Sequence, residues 1–485
     1  MRCIAVRRRV RRRAERLADS VLLPEGHDPV NVLDDLVAGP GCIPPALHMV
    51  DRDMPPRSDW RAAPPAAHPE RRFSSFCDFV DDALFHPRWG YYSTGGVQFG
   101  TGGHYDTYPL ALSPLFGHMV AQYGFRTWRR SGMPADFEVC ELGAGNGQLC
   151  LDTLLWAHER GRHDRTWKAF ADRLRYRIVE RSPALAARQR QQLGPLAEWV
   201  RWSRCDPSRT VPRGAPFAAH GVIVANEVLD CLPHHKVVGQ ANSAPAVVFV
   251  VPTLSGLPLD RDRLAAVMAD SGRRRRVRYS EVLVPIARSS RLADFVRRHN
   301  RELFAARPPR RPYFVCPRYD TLQRNVARLY DHADALWVDY GELREYHRRA
   351  PESRRLFAGP PRSGRSIYDD PGGDDITFLV DFTSVTSTAR SAGWSIAYYG
   401  PQAELARRSR MRLDHDAVEL VIRHRALRWM LALAGVGPEQ SWQRRAVTWS
   451  AAPAKGRVPV RRYVEQSVRE FRDPTSLFKL LITRR

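Results

Sequence analysis

The chain is poor in cysteine, in lysine and in long apolar runs. Eight cysteines in 485 residues are too few for a disulfide framework, and none pairs as C-x-x-C. That excludes a disulfide-stapled scaffold, a zinc ribbon and a thioredoxin-like site, so no metal is expected and a reducing cytoplasm is the expected compartment. No apolar run approaches the ~18 residues of a membrane-spanning helix. The best candidate, Val247–Val251, ends at Pro252. Collagen-like and coiled-coil compositions are absent as well. What is present is 43% hydrophobic and 10% aromatic residues, enough to bury a core and to exclude global disorder. At roughly 100–200 residues per domain, one to three domains fit this length.

The net charge is +24, yet only four of the 76 basic residues are lysine (Lys168, Lys236, Lys455 and Lys479). An arginine bias of this kind follows from a GC-rich genome as readily as from an acidic partner. A solvated basic surface and a nucleic-acid or acidic-partner surface therefore both stay open. Residues 1–20 hold eight arginines against Glu15 and Asp19, and eight prolines lie from Pro40 to Pro69. Proline fixes φ and removes a backbone donor, so residues 1–70 are expected to be a disordered basic, proline-rich arm. A second basic stretch, Ser271–Arg311, carries 13 arginines and reads as an insertion or an exposed flank of the folded part.

Order is expected from about residue 71. Phe76, Phe79, Val80, Ala83 and Leu84 recur at helical spacing before Pro87, and Met119–Trp128 reads as a second helix. Apolar segments at Glu138–Leu142, Tyr176–Val179, Val200–Trp202 and Val222–Ala225 then read as strands, with helical stretches between the first three. That alternation predicts βαβ units and a parallel sheet. Ala335–Asp339, Asp375–Val380 and Leu477–Ile482 read as later strands.

The chemistry is concentrated in Glu141-Leu-Gly143-Ala-Gly145-Asn-Gly147. A strand runs into a glycine turn, and a helix is expected at Leu149–Trp156. Glycines let the backbone approach a ligand without a Cβ clash, and the helix N-terminus offers free N–H groups. A dinucleotide would call for G-x-G-x-x-G. The spacing here is instead E-x-G-x-G-x-G, the form of a class I S-adenosylmethionine methyltransferase. A tight turn without a ligand is the bland alternative. Glu141 can face the amino acid moiety of that cofactor. Glu180, closing the second strand, can accept both ribose hydroxyls, although a strand-end acid also serves as a helix cap. Asn226 and Glu227 close the fourth strand, where polar groups of an open α/β sheet enter the ligand crevice.

Taken together, these segments resemble the MidA-like methyltransferases, whose mitochondrial members act in respiratory complex I assembly. The resemblance runs through Ala83–Tyr92, Thr107-Tyr-Pro109, Leu112–Gly117, Glu141–Gly147, Val179–Pro183 with Gln189, and Ala225–Pro233. It continues through Asp339-Tyr-Gly341, Pro371-Gly372, Asp375-Ile-Thr377, Val380-Asp381-Phe382, Gln402 and Phe478-Lys-Leu-Leu. It implies an α/β fold: a Rossmann-like class I methyltransferase sheet with helices on both faces, an N-terminal helical and loop cap, and an inserted basic segment. The expected division is cap and substrate elements 71–135, cofactor core 136–240, insertion 241–330 and the remaining sheet 331–485. The cofactor implied is S-adenosyl-L-methionine, held by Glu141, Gly143, Gly145, Gly147, Glu180 and Asn226.

A protein arginine acceptor is implied too. Glu227 is the expected carboxylate beside the guanidinium, with Asn226 shaping the pocket and Asp230 either assisting or only capping a turn. Tyr91, Tyr92, His104 and Thr107 are expected to border the acceptor. Ordinary packing is the alternative for the tyrosines, and base catalysis on a hydroxyl is one for His104. Two departures bear on this. Gly103-His104-Tyr105 stands where the family has G-D-F, and Pro109–Ser113 lacks the family's glutamate and is one residue longer. An assembly or scaffold factor with weak catalysis, and an RNA methyltransferase, remain the competing functions. The compartment follows the source: bacterial cytoplasm, or mitochondrial matrix in a eukaryote. Oligomeric state is not legible.

Overall fold

The computed structural model describes residues 37–38, 73–97, 99, 107–241, 243–305, 312–344, 356–358, 366–433 and 458–485. Of the basic arm only Val37–Ala38 falls within them, paired antiparallel with Val458–Pro459. His104 lies outside the described residues.

The central sheet is built from β1 (Phe137–Leu142), β2 (Leu174–Glu180), β3 (Val200–Arg204), β4 (Ala218–Asn226), β5 (Tyr330–Glu342), β6 (Ser395–Pro401) and β7 (Phe478–Arg484). Their order is β6-β7-β5-β4-β1-β2-β3. β1 through β5 pair in parallel, and β7 runs antiparallel between β5 and β6. The order reverses between β4 and β1, where open α/β sheets leave a crevice at the carboxyl ends of their strands.

Side chains alternate across this sheet, as a two-residue period requires. Val222, Val224, Leu336 and Val338 face one layer, packed by α2 (Leu115–Arg130), α3 (Gln148–His163) and α4 (Arg165–Arg173). Ile223, Ala225, Ala335 and Trp337 face the other, against α6 (Arg318–Val326) and α7 (Phe382–Ser391), while α5 (Pro183–Leu193) follows β2. Burial on both faces is why these strands read as continuous apolar runs. Each fully buried aliphatic contributes roughly 1.5–3 kcal/mol.

The cap begins with α1 (Phe76–Phe85). Ser75 accepts from the Asp78 N–H while the Asp78 carboxylate accepts from the Ser75 N–H, a reciprocal cap,. Pro87 follows the helix and blocks its continuation. Asp81 on α1 accepts from Arg181 after β2 at 3.0 Å, from Arg318 of α6 at 3.1 Å, and from Arg209. The cap is thereby tied to the loop that follows Glu180.

Four strands between His235 and Val315 form the main path of a second, antiparallel sheet. Its order is Arg278–Pro285, Ala246–Leu254, His235–Val238, Pro312–Val315. Ser74–Ser75 adds to Ala246–Leu254. Much of Ser271–Arg311 is thus strand Arg278–Pro285 and helix Arg291–His299, with Arg273, Arg275, Arg276 and Arg278 exposed. This sheet starts at His235, inside the stretch assigned to the cofactor core.

Two expectations need correction. A helix after β4, which Glu227 could cap and Asp230 would enter, is absent: the chain bends through 227–234 and enters His235–Val238. Asp375–Val380 is two short strands. Ile376–Phe378 pairs with Leu356–Ala358, and Val380–Asp381 pairs parallel with β5. A Cβ on Gly341 would lie 2.1 Å from the Val380 carbonyl oxygen, so glycine is required for that pairing. Finally, β6 was not legible. Its residues are partly exposed throughout, and its sequence carries no buried apolar face.

Candidate active site

The glycine turn sits between β1 and α3 at the reversal point. Gly143, Gly145 and Gly147 have φ of 63°, 53° and 87°, the left-handed region that costs other L-residues energy. A Cβ on Gly145 would meet the Phe99 ring at 3.3 Å, and one on Gly143 would meet Val228 at 3.3 Å. Asn146 Oδ1 accepts from the Gln148 N–H at 3.1 Å, closing the turn into the helix.

Glu141 lies beneath this turn. It is 4% exposed and accepts from the Tyr176 hydroxyl at 2.7 Å. Burial pushes its carboxyl up to about 8, with Tyr176 opposing, so the acid is largely protonated at neutral pH in this state.

Glu180 closes β2. Its Oε1 accepts from the Ser182 N–H at 2.8 Å, and its Oε2 accepts from Gln189 Nε2 at 2.9 Å. Gln189 Nε2 also donates to the Gly145 carbonyl at 3.1 Å, and Gln189 Oε1 accepts from Trp202 Nε1 at 3.0 Å. This fully buried glutamine joins the glycine turn, the acid of β2 and the edge of β3. Its sequence signal was only its place in the family resemblance. Burial raises the Glu180 carboxyl to about 7.

At the end of β4, Glu227 has φ 51°, uncommon for a non-glycine residue. Its N–H donates to the Val338 carbonyl at 2.8 Å, and Asn226 Nδ2 donates to Glu227 Oε1 at 3.1 Å. With no helix following, Glu227 has no helix to cap. Instead Asp339 of β5 holds the bend. Its Oδ2 accepts from the N–H groups of Val228, Leu229 and Asp230 at 3.2, 2.9 and 3.3 Å, and its Oδ1 accepts from the Tyr340 N–H. Asp230 is buried under this bend and accepts from the Tyr340 hydroxyl at 2.5 Å.

The cap brings Tyr92 to the same place. Its hydroxyl donates to Asp375 Oδ1 at 2.9 Å, and its carbonyl accepts from Ser182 Oγ at 2.7 Å. Tyr91 is buried in the cap core, stacked edge-on to Tyr92. Thr107 stands at the N-cap position of the short helix Tyr108–Ala111, with no capping bond from its side chain. The structure thus brings Tyr92, Asp230 and the bend carrying Asn226 and Glu227 into one neighbourhood. Asp339, Tyr340, Asp375 and Gln189 were not assigned roles by sequence reasoning.

The fit to a nucleoside sulfonium ligand can be judged from the residues. Asn226 Oδ1 is buried without a hydrogen-bond partner, an acceptor that a ligand amine would satisfy. Each Glu180 oxygen accepts a hydrogen bond and keeps acceptor capacity for a hydroxyl,. The three left-handed glycines present bare backbone at the turn, with Phe99, Val228 and Gln189 the side chains that approach it. These residues fit.

A sheet of this order with a glycine turn at its switch point defines the class I methyltransferase architecture. Residues 119–400 match the family described as "Putative S-adenosyl-L-methionine-dependent methyltransferase", and the chain belongs to that family, whose cofactor is S-adenosyl-L-methionine. Among curated proteins it is similar to the Drosophila melanogaster "Protein arginine methyltransferase NDUFAF7 homolog, mitochondrial". The two are 29% identical over 179 residues, 33% of this chain and 37% of that protein. The Xenopus tropicalis "Protein arginine methyltransferase NDUFAF7, mitochondrial" is 27% identical over 177 residues, 33% of this chain and 38% of that one. The chain therefore spans under two fifths of the length of these relatives. A solved Burkholderia thailandensis protein bound to S-adenosyl-homocysteine shares the fold, with a TM-score of 0.56, 23% identity and coverage of 85% and 88% of the two chains. Among the described residues, no helix is long and apolar enough to cross a membrane.

Two predictions follow from the buried acids. Glu180→Ala is expected to weaken cofactor binding by roughly 1.5–3 kcal/mol, the range for hydrogen bonds to a charged group. Calorimetry checks this, and equal binding of 2′-deoxy and ordinary cofactor analogues by the wild type would remove the ribose role. The second concerns pH. Folded Glu141, Glu180, Asp230 and Asp375 hold protons up to about 8, 7, 6 and 7. Each thus stabilises the fold most below its unfolded value and loses that contribution as pH rises through the folded one. Buried His118, His234, His235 and His299 are depressed to about 3, 3, 4 and 4, which costs stability only below about 6.5. Between about pH 6.5 and 8 the acids act alone. The thermal midpoint of the ligand-free protein is expected to fall across that window; a rising midpoint would show that these acids ionise freely.

Proposed function

We propose that the protein transfers the methyl group of S-adenosyl-L-methionine to an arginine side chain of a protein partner. The observation that carries the reading is the junction at the switch point. There a glycine turn, tied through Gln189 to Glu180, stands beside a bend lined with carboxylates. The names of the fly and frog relatives support arginine as the acceptor.

When bound, the cofactor supplies an electrophilic methyl group on a sulfonium. Gly143, Gly145 and Gly147 would let the backbone approach it, Glu180 would receive the ribose hydroxyls, and Asn226 Oδ1 would accept from an amine. Glu141 supports the turn from below, where its carboxyl accepts from the Tyr176 hydroxyl. The acceptor must be held in line and close, since positioning is most of what such a displacement requires. A guanidinium stays protonated at neutral pH, with a pKa above about 12. Glu227 can bind one edge of it through charge-assisted hydrogen bonds and so turn one nitrogen toward the methyl group. The left-handed backbone at Glu227, fixed by its bond to Val338, holds that carboxylate at the strand end. Tyr92 borders the same pocket from the cap.

The test is methyl transfer from labelled cofactor in a lysate, followed by mass spectrometry of the labelled product. Methylated arginine in a protein is the expected product. Label in RNA, or on a hydroxyl group, would replace this reading. In the same assay Glu227→Gln is expected to keep cofactor affinity and lose most of the transfer, because the amide keeps the shape and removes the charge. Full turnover by Glu227→Gln on the identified acceptor would move the role to another acid.

A further inference from the structure

Three carboxylates lie beside this bend, and no cation among the described residues pairs with them. Asp230 and Asp339 are 5% and 0% exposed, and Asp375 is partly exposed. Among the described residues none of the three forms an ion pair with lysine, arginine or histidine. Elsewhere the chain does pair its buried acids. Glu138 meets Arg177 at 2.9 Å, Asp334 meets Arg130 at 2.6 Å, and Glu281 meets Lys236 at 2.7 Å. Unpaired buried charge is costly, so a cluster that no described cation pairs with is a place where a cationic ligand would be stabilised.

The three acids are not equivalent. Asp339 spends both oxygens on backbone N–H groups and builds the bend. Asp230 accepts from Tyr340 through Oδ2, while its Oδ1 is buried with no hydrogen-bond partner. Asp375 accepts from the Tyr92 hydroxyl and from the Ile376 N–H through Oδ1. The Phe378 N–H donates to the Asp230 carbonyl at 3.0 Å, fixing the Asp375 segment against the bend. Tyr340 also shares a hydrogen bond with Thr377, so one tyrosine spans both. Asp375, Thr377 and Tyr92 are all partly exposed, and Asp230 lies behind them.

We propose that Asp230 and Asp375 form a two-carboxylate seat for the guanidinium of the acceptor, with Tyr340 and Tyr92 as the positioning residues that aim them. This rests on the arginine reading above and extends it inward from Glu227. A guanidinium offers five N–H donors in a planar fork. Two acids on different elements, one at the mouth and one on the floor, can engage two of its edges, whereas an ammonium offers only a point charge.

The seat has a pH signature. Burial raises Asp230 to about 6 and Asp375 to about 7, while the hydrogen bonds from Tyr340 and Tyr92 lower them. The groups acting on Asp375 are Asp230, Asp374 and Tyr92, and Tyr91 in turn feels Asp375. Tyr340, Cys231, Asp339 and Tyr319 surround Asp230. Both carboxyls must be ionised to hold a cation. Binding should therefore strengthen as pH rises from about 5 to 8, and removing either tyrosine hydroxyl should move that rise to higher pH.

The experiment uses the full chain saturated with S-adenosyl-homocysteine. The probes are a glycine–arginine peptide and its lysine counterpart, with affinity measured by calorimetry from pH 5 to 8. The wild type should prefer the arginine peptide. Asp375→Asn, whose Oδ1 can still accept from Tyr92 and Ile376, and Asp230→Asn should each weaken the peptide at least tenfold and leave S-adenosyl-homocysteine affinity unchanged. Tyr340→Phe and Tyr92→Phe should bind the peptide with the pH midpoint moved up. Wild-type affinity in both Asn variants, or equal affinity for the lysine peptide, would overturn the seat. Loss of S-adenosyl-homocysteine binding in the Asn variants would assign the acids to the cofactor instead. If the wild type shows no arginine preference yet methylates another acceptor, the functional reading itself fails, and the seat falls with it.

Discussion

Gly145→Val is expected to abolish cofactor binding while leaving the protein folded. Gly145 sits at φ 53°, where a residue with a Cβ is penalised by about 1–2 kcal/mol. Valine is worse placed than alanine, because two γ carbons restrict χ1 and crowd the backbone. Space is lacking as well. The first added carbon would meet the Phe99 ring at 3.3 Å, and the γ carbons would extend over the face where a ligand must approach. The effect would not stay local. The Gly145 carbonyl accepts from Gln189, and Gln189 donates to Glu180, so a displaced turn also disturbs the acid expected to hold the ribose. Together these effects are expected to exceed about 3 kcal/mol, a loss of roughly a hundredfold or more. The turn lies at the surface end of β1, so the two hydrophobic layers remain intact and the thermal transition should stay cooperative. Calorimetry with S-adenosyl-L-methionine decides. An affinity equal to wild type would place the cofactor elsewhere.

What could be foreseen and what could not divides along physical lines. β1, β2, β4 and β5 announced themselves because both faces of the sheet are buried, which leaves apolar runs such as Val222–Ala225. The glycine turn was legible because three alternate positions at φ near 50° to 90° admit little else. The α1 boundary followed from Pro87. The bend after β4 was not legible. A polar strand end followed by Val228-Leu-Asp230 looks like the first turn of a helix, and only Asp339, more than a hundred residues later, takes up these three amides and holds the chain in a bend. Gln189 and Asp375 were visible as parts of a family pattern, but their partners are set by tertiary contact. The insertion sheet was hidden by the arginines around it: Ala246–Leu254 is apolar on both faces, Val248 and Val250 toward the cap and Val247 and Phe249 toward Arg291–His299, whereas the exposed arginines crowd Arg273–Arg278.

Asp339→Asn is the second variant expected to have a large effect, and it tests the bend on which both acceptor acids depend. Asp339 is fully buried, and desolvation together with the nearby negative charges of Asp230 and Glu227 raises its carboxyl well above the usual range. It remains there because its oxygens take four backbone N–H groups, three from Val228–Asp230 and one from Tyr340. An asparagine has the same shape but converts one oxygen into a donor. If the amide nitrogen takes the Oδ2 place, it faces three N–H groups; if it takes the Oδ1 place, it faces the Tyr340 N–H. In either orientation donor meets donor in a buried site, at a cost of about 1–3 kcal/mol for each group left unsatisfied. The urea midpoint should fall, and amide exchange at Val228, Leu229 and Asp230 should accelerate far more than in β1 or β2. Glu227 opens this bend and Asp230 lies within it, so methyl transfer should drop more than tenfold. Cofactor affinity should change much less, because the glycine turn and Glu180 are held through Gln189 and do not depend on Asp339. Wild-type exchange at those three amides would show that the bend is held by other means, and the acceptor site would then need a different foundation.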